Sequence, residues 1–409
     1  MNLALQASGA VLIVGPKWCG KTETAKQFAK SILYMQHPDF AESYLKMASL
    51  KPSELLDGET PRLIDEWQDA PVLWNAVRFT VDQRKERGQF ILTGSVVPKI
   101  AKNMHSGTGR ISRLTMRTMS LFESGESGGQ ISLSDLFEGK SKMTGASKLT
   151  IDDIAFAMLR GGWPETINEK NLEVAMQTVF NYIEALVNDD ISRVDGKKRK
   201  PARVRSLLRS IARHTGAPVN NSTIFNDLTT NDETISDKTI ADYIDALKKL
   251  YVLEDLPVWS ASLRSKTAIR TTPKRYFTDP SAACVLLGAS KEKLFSDFNT
   301  FGLLFESLAV RDLRVYADSL NGHVFYYRDK HGNEVDAIIE LPDGRWGAIE
   351  IKMGSLEDDA AAKNLIKFKK SVNTEKMGEP SFLAIITASQ IAHQRDDGVW
   401  AIPIGCLKD

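Results

Sequence analysis

The residues best suited to chemistry stand near the start of the chain, where residues 15–22 have the spacing G-x-x-x-x-G-K-T. Glycines in such a loop let backbone N–H groups approach phosphate oxygens closely. Lys21 can reach the β- and γ-phosphates of a nucleotide, and the Thr22 hydroxyl can ligate Mg²⁺. The pattern therefore predicts a nucleotide site formed by the whole loop, namely Gly15, Pro16, Lys17, Trp18, Cys19, Gly20, Lys21 and Thr22.

The segments on either side of the loop support this prediction. Residues 10–14 are an apolar run typical of a buried strand, and residues 22–33 have a helical pattern. A strand, a glycine-rich loop and a helix in this order are the context of a phosphate-binding loop rather than of an ordinary turn. The helix would also direct its positive end toward the phosphates.

Two acids follow a second apolar run, residues 62–64. An acid at the tip of a buried strand can hold Mg²⁺, usually through water, so we assign Asp65 to the metal. The next acid, Glu66, is suited to orient and deprotonate the attacking water. A further strand ends near Thr93, and Thr93 or Ser95 is a candidate sensor of the γ-phosphate, with a plain turn role as the alternative.

Two arginines, Arg110 and Arg113, follow a G-T-G turn at residues 107–109. An arginine placed across a subunit boundary can stabilise the charge of a phosphoryl-transfer transition state. One of the two is therefore a candidate arginine finger, which would require a homo-oligomer. Structural salt bridges are the alternative.

Length and composition indicate two or three domains, since 409 residues are too many for one core. Lys and Arg number 53 and Asp and Glu number 52, so the net charge favours no particular partner. The three cysteines fit neither a disulfide framework nor a zinc cluster. No apolar run is long enough to span a bilayer, and the apolar start has no basic leader, so we expect a cytoplasmic protein with no membrane contact.

Elements alternate between strand-like and helical at both ends of the chain, whereas the middle is helical. In the N-terminal part, the expected strands are residues 44–50, 62–64 and 89–92, and the expected helix is 71–87. In the middle, the expected helices are residues 174–194, 204–214, 222–228 and 236–250, followed by a strand over 251–256. In the C-terminal part, the expected helices are residues 301–317 and 360–372, and the expected strands are 323–328, 334–341, 346–352 and 381–386.

These patterns predict an α/β fold in four segments. The first is a parallel-sheet P-loop domain, the second a helical lid or linker rich in Gly and Ser at its start, the third a winged helix made of short helices and a strand, and the fourth a second α/β domain. The predicted bounds are 1–122, 123–202, 203–260 and 261–409.

The motifs at residues 15–22, 63–66, 92–95 and 107–113 together resemble an AAA-type ATPase domain. The whole chain, including the stretch 119–123, is similar to bacterial and archaeal ATPases that carry a C-terminal domain of the DUF4143 group. The resemblance implies that ATP is the ligand and that Mg²⁺ is its cofactor.

A second constellation lies in the C-terminal part. Asp336 is on one predicted strand, and Glu350 and Lys352 share one face of the next. An acid followed by acid-x-Lys on adjacent strands resembles the restriction-endonuclease-like fold. This resemblance implies that Asp336 and Glu350 bind a divalent metal, that Lys352 is the catalytic cation and that Glu306 is a supporting acid. An ordinary exposed strand face is the alternative.

Positive charge is concentrated in residues 197–213, where Lys and Arg recur without an intervening acid. Beside a winged helix, such a run is typical of phosphate binding, so DNA is a candidate partner. The helix predicted over 236–250 has few arginines and two acids in its first half, which argues against strong base readout. A solvated surface is the alternative.

The function that we expect is Mg²⁺-dependent binding and hydrolysis of ATP, coupled through the winged helix to a nuclease-like C-terminal domain that acts on DNA. The alternative is a nucleotide-gated switch that binds DNA or protein and never cuts.

Overall fold

The structure is a computed structural model that describes residues 1–94, 106–140, 144–229, 235–260, 272–329, 331–354 and 358–409. The chain forms two compact units. The first comprises Met1–Thr118, Asn188–Arg199 and Asp245–Val252, and the second comprises Met119–Val187, Lys200–Ile244 and Leu253–Asp409. The four predicted segments stay a prediction.

The helices and strands are numbered in chain order within the described residues. The α-helices α1 to α17 are Asn2–Ala7, Lys21–Lys26, Ala41–Leu50, Val72–Arg84, Leu133–Phe137, Ile151–Arg160, Pro164–Ile167, Leu172–Ala185, Ile191–Arg193, Pro201–Arg213, Asn221–Thr229, Asp237–Lys249, Pro280–Leu287, Lys291–Ser296, Phe298–Ser319, Asp358–Ser371 and Thr374–Met377. The strands β1 to β16 are Ala10–Val14, Ser31–Tyr34, Arg62–Asp65, Phe90–Thr93, Ile111–Thr115, Ile131–Ser132, Gly145–Ala146, Leu253–Leu256, Lys274–Phe277, His323–Arg328, Glu334–Glu340, Trp346–Lys352, Phe382–Thr387, Ile391–Gln394, Trp400–Pro403 and Leu407–Lys408.

A five-stranded parallel sheet in the order β2-β3-β4-β1-β5 forms the centre of the first unit. All residues of β1 and β4 are buried, as a parallel sheet covered on both faces requires. Thr93 of β4 pairs with Ile13 of β1 on one side and with Asp65 of β3 on the other. The carboxyl ends of these three strands therefore meet at one edge of the sheet. The predicted parallel sheet is confirmed.

Two apolar layers cover this sheet. One contains Leu12 and the rings of Trp67 and Trp74, whose centroids lie 5.1 Å apart, and the other contains Ile13. Burying a side chain of the size of Leu12 or Ile13 contributes about 1.5–3 kcal/mol. Because Trp67 is buried and directly follows Glu66, this core also fixes the backbone that carries Glu66.

The strand predicted over residues 44–50 is wrong, because this stretch belongs to α3. Tyr44 packs against the core and Ala48 is buried, a spacing of four residues that suits a helix. Leu50 is 81% exposed, so the apolar run does not mark a buried strand.

The helix predicted over residues 22–33 is too long. Helix α2 ends at Lys26, and the chain continues into the edge strand β2, which pairs with β3 in parallel. Leu33 is buried whereas Ile32 is partly exposed, an alternation that fits a strand at the edge of a sheet.

The second unit contains a seven-stranded sheet in the order β10-β11-β12-β13-β15-β14-β7. Strands β10, β11 and β12 are antiparallel neighbours, whereas β12, β13 and β15 are parallel. The long helix α15 and helix α16 lie where the sequence predicted helices. The predicted C-terminal α/β region is therefore confirmed, and its nuclease-like character stays a prediction.

The predicted helices of the middle region are present as α10, α11 and α12, and β8 pairs with β9 in an antiparallel sense. Their arrangement as a winged helix stays a prediction. In the described part of the chain, no helix is both long enough and apolar enough to cross a membrane. The cytoplasmic location stays a prediction.

A fully buried charged network joins distant segments of the second unit. The Arg311 guanidinium lies 2.7 Å from an Asp312 oxygen and 3.4 Å from an Asp279 oxygen. The other Asp312 oxygen accepts a hydrogen bond from the backbone N–H of Leu121, and the Asp279 oxygen that faces Arg311 also accepts one from the backbone N–H of Gly162. A charge pair without water is stable only when its polar atoms are satisfied in this way.

We expect Asp312→Ala to destabilise the second unit by about 3–5 kcal/mol, because it leaves Arg311 buried without its nearest carboxylate. Urea unfolding followed by circular dichroism would measure the loss. Asp343→Ala is the control, since it breaks the exposed pair with Arg345 and should cost less than about 1 kcal/mol. Equal losses in the two variants would contradict the role of the network.

Candidate active site

The phosphate-binding loop connects β1 to α2, and its glycines are required by its geometry. Gly15 has a φ of 155°, and a Cβ atom there would lie 2.2 Å from the carbonyl oxygen of Met116. Gly20, which precedes α2, has a φ of 94°, in the left-handed region that favours glycine. The two glycines thus allow the turn that residues with side chains would prevent.

Several backbone N–H groups of the loop can donate hydrogen bonds to a ligand. In the described part of the chain, the backbone N–H groups of Gly15, Lys17 and Gly20 make no hydrogen bond to a backbone carbonyl. Buried or half-buried N–H groups that lack an internal partner need one from outside. Phosphate oxygens are suitable acceptors for such a concave set of donors.

Lys21 fills the interior of the loop. It is 7% exposed, and its Nζ donates to the carbonyl oxygens of Gly15 at 3.1 Å and Pro16 at 2.7 Å. Burial lowers the pKa of Lys21, while the nearby Asp65 and Glu66 carboxylates oppose this shift. The ammonium group therefore lies where phosphate oxygens can replace the two carbonyls.

Asp65 connects the loop to the sheet. Its Oδ1 atom accepts hydrogen bonds from the Thr22 hydroxyl at 2.7 Å and from the Thr93 hydroxyl at 2.6 Å. Thr22 and Asp65, which were both predicted to hold Mg²⁺, are thus in contact with each other. Both have oxygen atoms, the ligands that Mg²⁺ prefers. Thr93 holds Asp65, and its role toward a γ-phosphate stays a prediction; Ser95 lies outside the described residues.

Glu66 lies beside this group in an unusual conformation. Its φ of 54° and ψ of 44° are in the left-handed region, where a residue with a side chain is strained. Burial raises the pKa of its carboxyl group, although a hydrogen bond from the Gln68 amide opposes the shift. Strain and a perturbed pKa in one carboxylate are typical of functional residues. Gln68 was missed by the sequence analysis.

The other loop residues differ in their exposure. Trp18 is 55% exposed, whereas the Cys19 side chain is buried. Burial raises the pKa of the Cys19 thiol, which keeps it protonated and unreactive. Lys17 forms an ion pair with Asp190 at 2.6 Å.

The two finger candidates occupy different positions along β5. Arg110 precedes the strand and lies beside the start of β1, at the edge of the sheet opposite the phosphate loop. Its Nε atom donates to Asp82 at 2.8 Å, and this hydrogen bond raises the pKa of Arg110. Arg113 is exposed and pairs in register with Leu12. Arg110 therefore cannot reach the phosphates bound by its own loop, and a role across a subunit boundary stays a prediction for both.

A second set of charged groups comes together in the second unit. Lys352 Nζ lies 2.9 Å from an Asp336 oxygen and 2.9 Å from a Glu350 oxygen. The backbone N–H of Ile351 also donates to Asp336, and the Asn364 amide donates to Glu350 at 2.6 Å. The structure thus brings together the three residues that the sequence pattern had placed on adjacent strands.

Glu306 joins this set through a lysine that the sequence analysis missed. Lys274, from β9, lies 3.0 Å from a Glu306 oxygen, 2.7 Å from a Glu334 oxygen and 3.9 Å from an Asp336 oxygen. The Tyr276 hydroxyl also donates to Glu306 at 2.6 Å. No local motif marks Lys274, because its partners are on other strands and on a helix. We call the group of Lys274, Glu306, Glu334, Asp336, Glu350 and Lys352 the C-terminal charge cluster.

Burial and neighbouring charges shift the pKa values of Glu350 and Asp336 in opposite directions. Burial, together with the charge of Asp336, raises the pKa of Glu350 to about 8. Burial would also raise the pKa of Asp336, but Lys352 and Lys274 outweigh it and lower that pKa. Glu350 therefore holds a proton more readily than Asp336 does.

This arrangement does not fit a metal centre. Two ammonium groups already lie against the carboxylates, where a divalent cation would have to displace them. Among the described residues, no three His, Cys, Asp or Glu side chains are placed to hold a metal ion. The predicted metal roles of Asp336 and Glu350 stay a prediction that the geometry does not favour.

The basic run is partly neutralised. In the first unit, the buried Arg199 pairs with Asp195 at 2.8 Å. In the second unit, Arg205 pairs with Glu184 and Arg213 lies 3.5 Å from Asp227. Acids outside the run therefore compensate charges that looked unopposed along residues 197–213.

Known proteins resemble this chain in three regions. A sequence model described as an AAA domain matches residues 7–124, one for DUF8612, a domain of unknown function, matches 151–293, and one for DUF4143, also a domain of unknown function, matches 301–407. No curated protein matches the chain.

Solved structures give two further likenesses. The Walker-type ATPase of Pyrococcus abyssi is 16% identical, with 70% of this chain and 93% of that chain covered and a TM-score of 0.41. The FIGL-1 AAA domain in complex with ADP is 13% identical, with 59% and 72% covered and a TM-score of 0.19. The AAA model thus matches the region that contains the phosphate loop, and the DUF4143 model matches the C-terminal part of the chain.

Proposed function

We propose that the first unit hydrolyses ATP with Mg²⁺ at the phosphate-binding loop, and that the remainder of the chain responds to the nucleotide. The observation that carries this proposal is the contact of Asp65 with Thr22 and Thr93, which assembles the end of the loop and two strand tips around one carboxylate. The phosphate loop, Asp65 for the metal ion and Glu66 for the attacking water together suit the transfer of a phosphoryl group to water.

The loop residues bind and orient the triphosphate. The N–H groups of Gly15, Lys17 and Gly20 donate to phosphate oxygens, and Lys21 exchanges its carbonyl partners for them. Because Lys21 is already desolvated, its ammonium group interacts with phosphate more strongly than it would in water. Trp18 and Cys19 contribute backbone rather than side-chain chemistry.

Mg²⁺ would be held by Thr22 and Asp65, where it would neutralise part of the phosphate charge. Asp65 is fixed for this role because Thr93 donates to the same carboxylate. Thr22 needs only to turn its hydroxyl hydrogen away from Asp65 to present its lone pairs.

Glu66 accepts a proton from the attacking water. Its raised pKa makes it a stronger base than an exposed glutamate, provided that it is ionised at the working pH. The left-handed backbone and the Gln68 amide hold its carboxylate in place.

For the second unit, a nucleotide-gated switch that does not cut DNA is favoured over a nuclease. The favouring observation is the pairing of Lys352 and Lys274 with the very acids that a metal would need. We propose that the C-terminal charge cluster stabilises the fold of this unit. DNA contact through the exposed lysines of the basic run remains part of the proposal, as does a homo-oligomer in which Arg113 acts across a subunit boundary.

We expect Glu66→Gln to lower the ATP hydrolysis rate by about 10²–10⁴-fold while ATP binds with similar affinity, because the change removes a proton acceptor and not a phosphate contact. Phosphate release and calorimetry would measure the two quantities. Glu42→Gln, an exposed acid of the same unit, should change neither.

The pH dependence follows from the raised pKa of Glu66. The base works only when deprotonated, so the wild-type rate should rise with pH through that pKa, at a higher pH than an ordinary glutamate would give. The residual hydrolysis rate of Glu66→Gln should not rise with pH in this way. An unchanged rate in Glu66→Gln would refute the assignment.

We expect the protein to bind plasmid DNA and leave it intact in Mg²⁺ or Mn²⁺. Replacing Lys197, Lys198 and Lys200 by Gln should flatten the dependence of binding on salt, because each lost phosphate contact reduces the slope by about 0.9. Mobility shift at several salt concentrations would measure this slope. Metal-dependent cutting that is lost in Lys352→Ala but kept in the exposed control Lys363→Ala would establish the nuclease instead.

A further inference from the structure

One loop cation does not face the centre of the phosphate loop. Lys17, two residues after Gly15, directs its ammonium group to Asp190 at 2.6 Å. The Lys17 side chain is 39% exposed and the Asp190 side chain 11% exposed, so the pair lies at the margin of the loop with its acid largely shielded from water. The two residues are 173 positions apart in the sequence.

Asp190 belongs to a segment from the middle of the chain that is part of the first unit. Asn188–Arg199 is part of the first unit, although the residues on both sides of it belong to the second. Asp190 ends a π-helical turn, Leu186–Asp190, that continues α8. Single π-turns inside helices occur frequently at functional sites. This turn brings an acid to the phosphate loop.

The segment is internally tied. Arg199, buried, donates to the carbonyl oxygen of Ile191 at 2.7 Å and to both oxygens of Asp195 at 2.8 and 2.9 Å. The hydrogen bonds from Arg199 lower the pKa of Asp195 to about 2, so this pair stays ionised over the whole working range of pH. Residues 191–199 are thus held together, and the adjacent Lys17–Asp190 pair connects this segment to the loop.

The charge of Asp190 acts on the same cation that a nucleotide would use. A triphosphate brings several negative charges to the loop, and one ammonium group cannot be fully shared between these and a shielded carboxylate. Asp190 also repels the incoming phosphates. Nucleotide binding and the Lys17–Asp190 pair are therefore alternatives in competition.

We propose that Asp190 is a built-in competitor of the nucleotide for Lys17, and that triphosphate binding releases residues 188–199 from the phosphate loop. This inference rests on the proposed ATP site. Asp190 is then a positioning residue that acts through Lys17. The segment continues directly into α10, which begins at Pro201, and follows directly from α8, so its release reports nucleotide occupancy to both helices along the chain.

The test compares Asp190→Asn with Asp189→Asn by calorimetry with Mg·ATP. The two variants remove the same charge one residue apart, but Asp189 is 59% exposed and lies 3.8 Å from Arg193 rather than against the loop. We expect Asp190→Asn to bind ATP about 3–10-fold more tightly than wild type and Asp189→Asn to bind like wild type. In a Lys17→Gln background, Asp190→Asn should tighten ATP binding by less than it does in wild type, because the competition needs both partners and only the direct repulsion of the phosphates is left to remove.

A second measurement follows the segment itself. Hydrogen exchange in residues 188–199 should accelerate when wild type binds Mg·ATP, and it should already be fast in Asp190→Asn and Lys17→Gln without nucleotide. Lys17→Gln alters only a partly exposed loop residue, so it reports on the segment even where Asp190→Asn folds poorly. Asp190→Glu, which keeps the charge, should restore slow exchange.

The outcomes separate this inference from the proposed function. Wild type that binds no nucleotide would overturn both. Wild type that binds ATP while Asp190→Asn matches Asp189→Asn or binds more weakly would overturn the competition alone. Unchanged exchange in residues 188–199 on ATP binding would overturn the release.

Discussion

The first unit depends on one register, that of β1, β4 and β3 at the carboxyl edge of the parallel sheet. Thr93 lies between Ile13 and Asp65 in this register, so a loop that leaves β1 and an acid that ends β3 reach the same place. The Asp65 carboxylate then joins them through two hydroxyl groups. A slip of β3 by one residue would turn Asp65 to the other face and separate the acid from the loop.

The C-terminal charge cluster illustrates a different use of buried charge. Its acids outnumber its lysines, and burial together with the charge of Asp336 raises the pKa of Glu350 to about 8. The Arg311 network of the same unit instead balances its charge with carboxylates and backbone N–H groups. Both clusters join strands or helices that are distant in sequence, and so they specify which segments meet. Acids that already pair with lysines have less attraction left for a metal ion.

The sequence was informative where function is encoded locally. The phosphate loop is contiguous, its glycines are dictated by positive φ and by close approach to Met116, and the apolar strand before it is long enough to recognise. The acids at 65 and 66 follow another apolar strand. The apolar run at residues 44–50 was interpreted as a strand. Its residues instead have the four-residue spacing of a helix that is mostly exposed, and the two patterns are hard to distinguish in a run of this length.

The sequence could not reveal partners that only the fold brings together. Lys274 has no motif, yet it contacts three acids, and Asp190 meets Lys17 from another part of the chain. For the same reason the basic run looked unopposed, although acids from other segments neutralise several of its arginines. Long-range electrostatics depend on tertiary structure, which no single stretch of residues encodes.

We propose that residues 15–22 bind the phosphates of a nucleotide with Lys21 at their centre. Calorimetric titration of wild type and Lys21→Ala with Mg·ATP tests it most directly. The account predicts saturable heat for wild type and at least a tenfold loss of affinity for Lys21→Ala, with both proteins showing the same circular dichroism. No heat from wild type, or equal affinity in the two proteins, would contradict it.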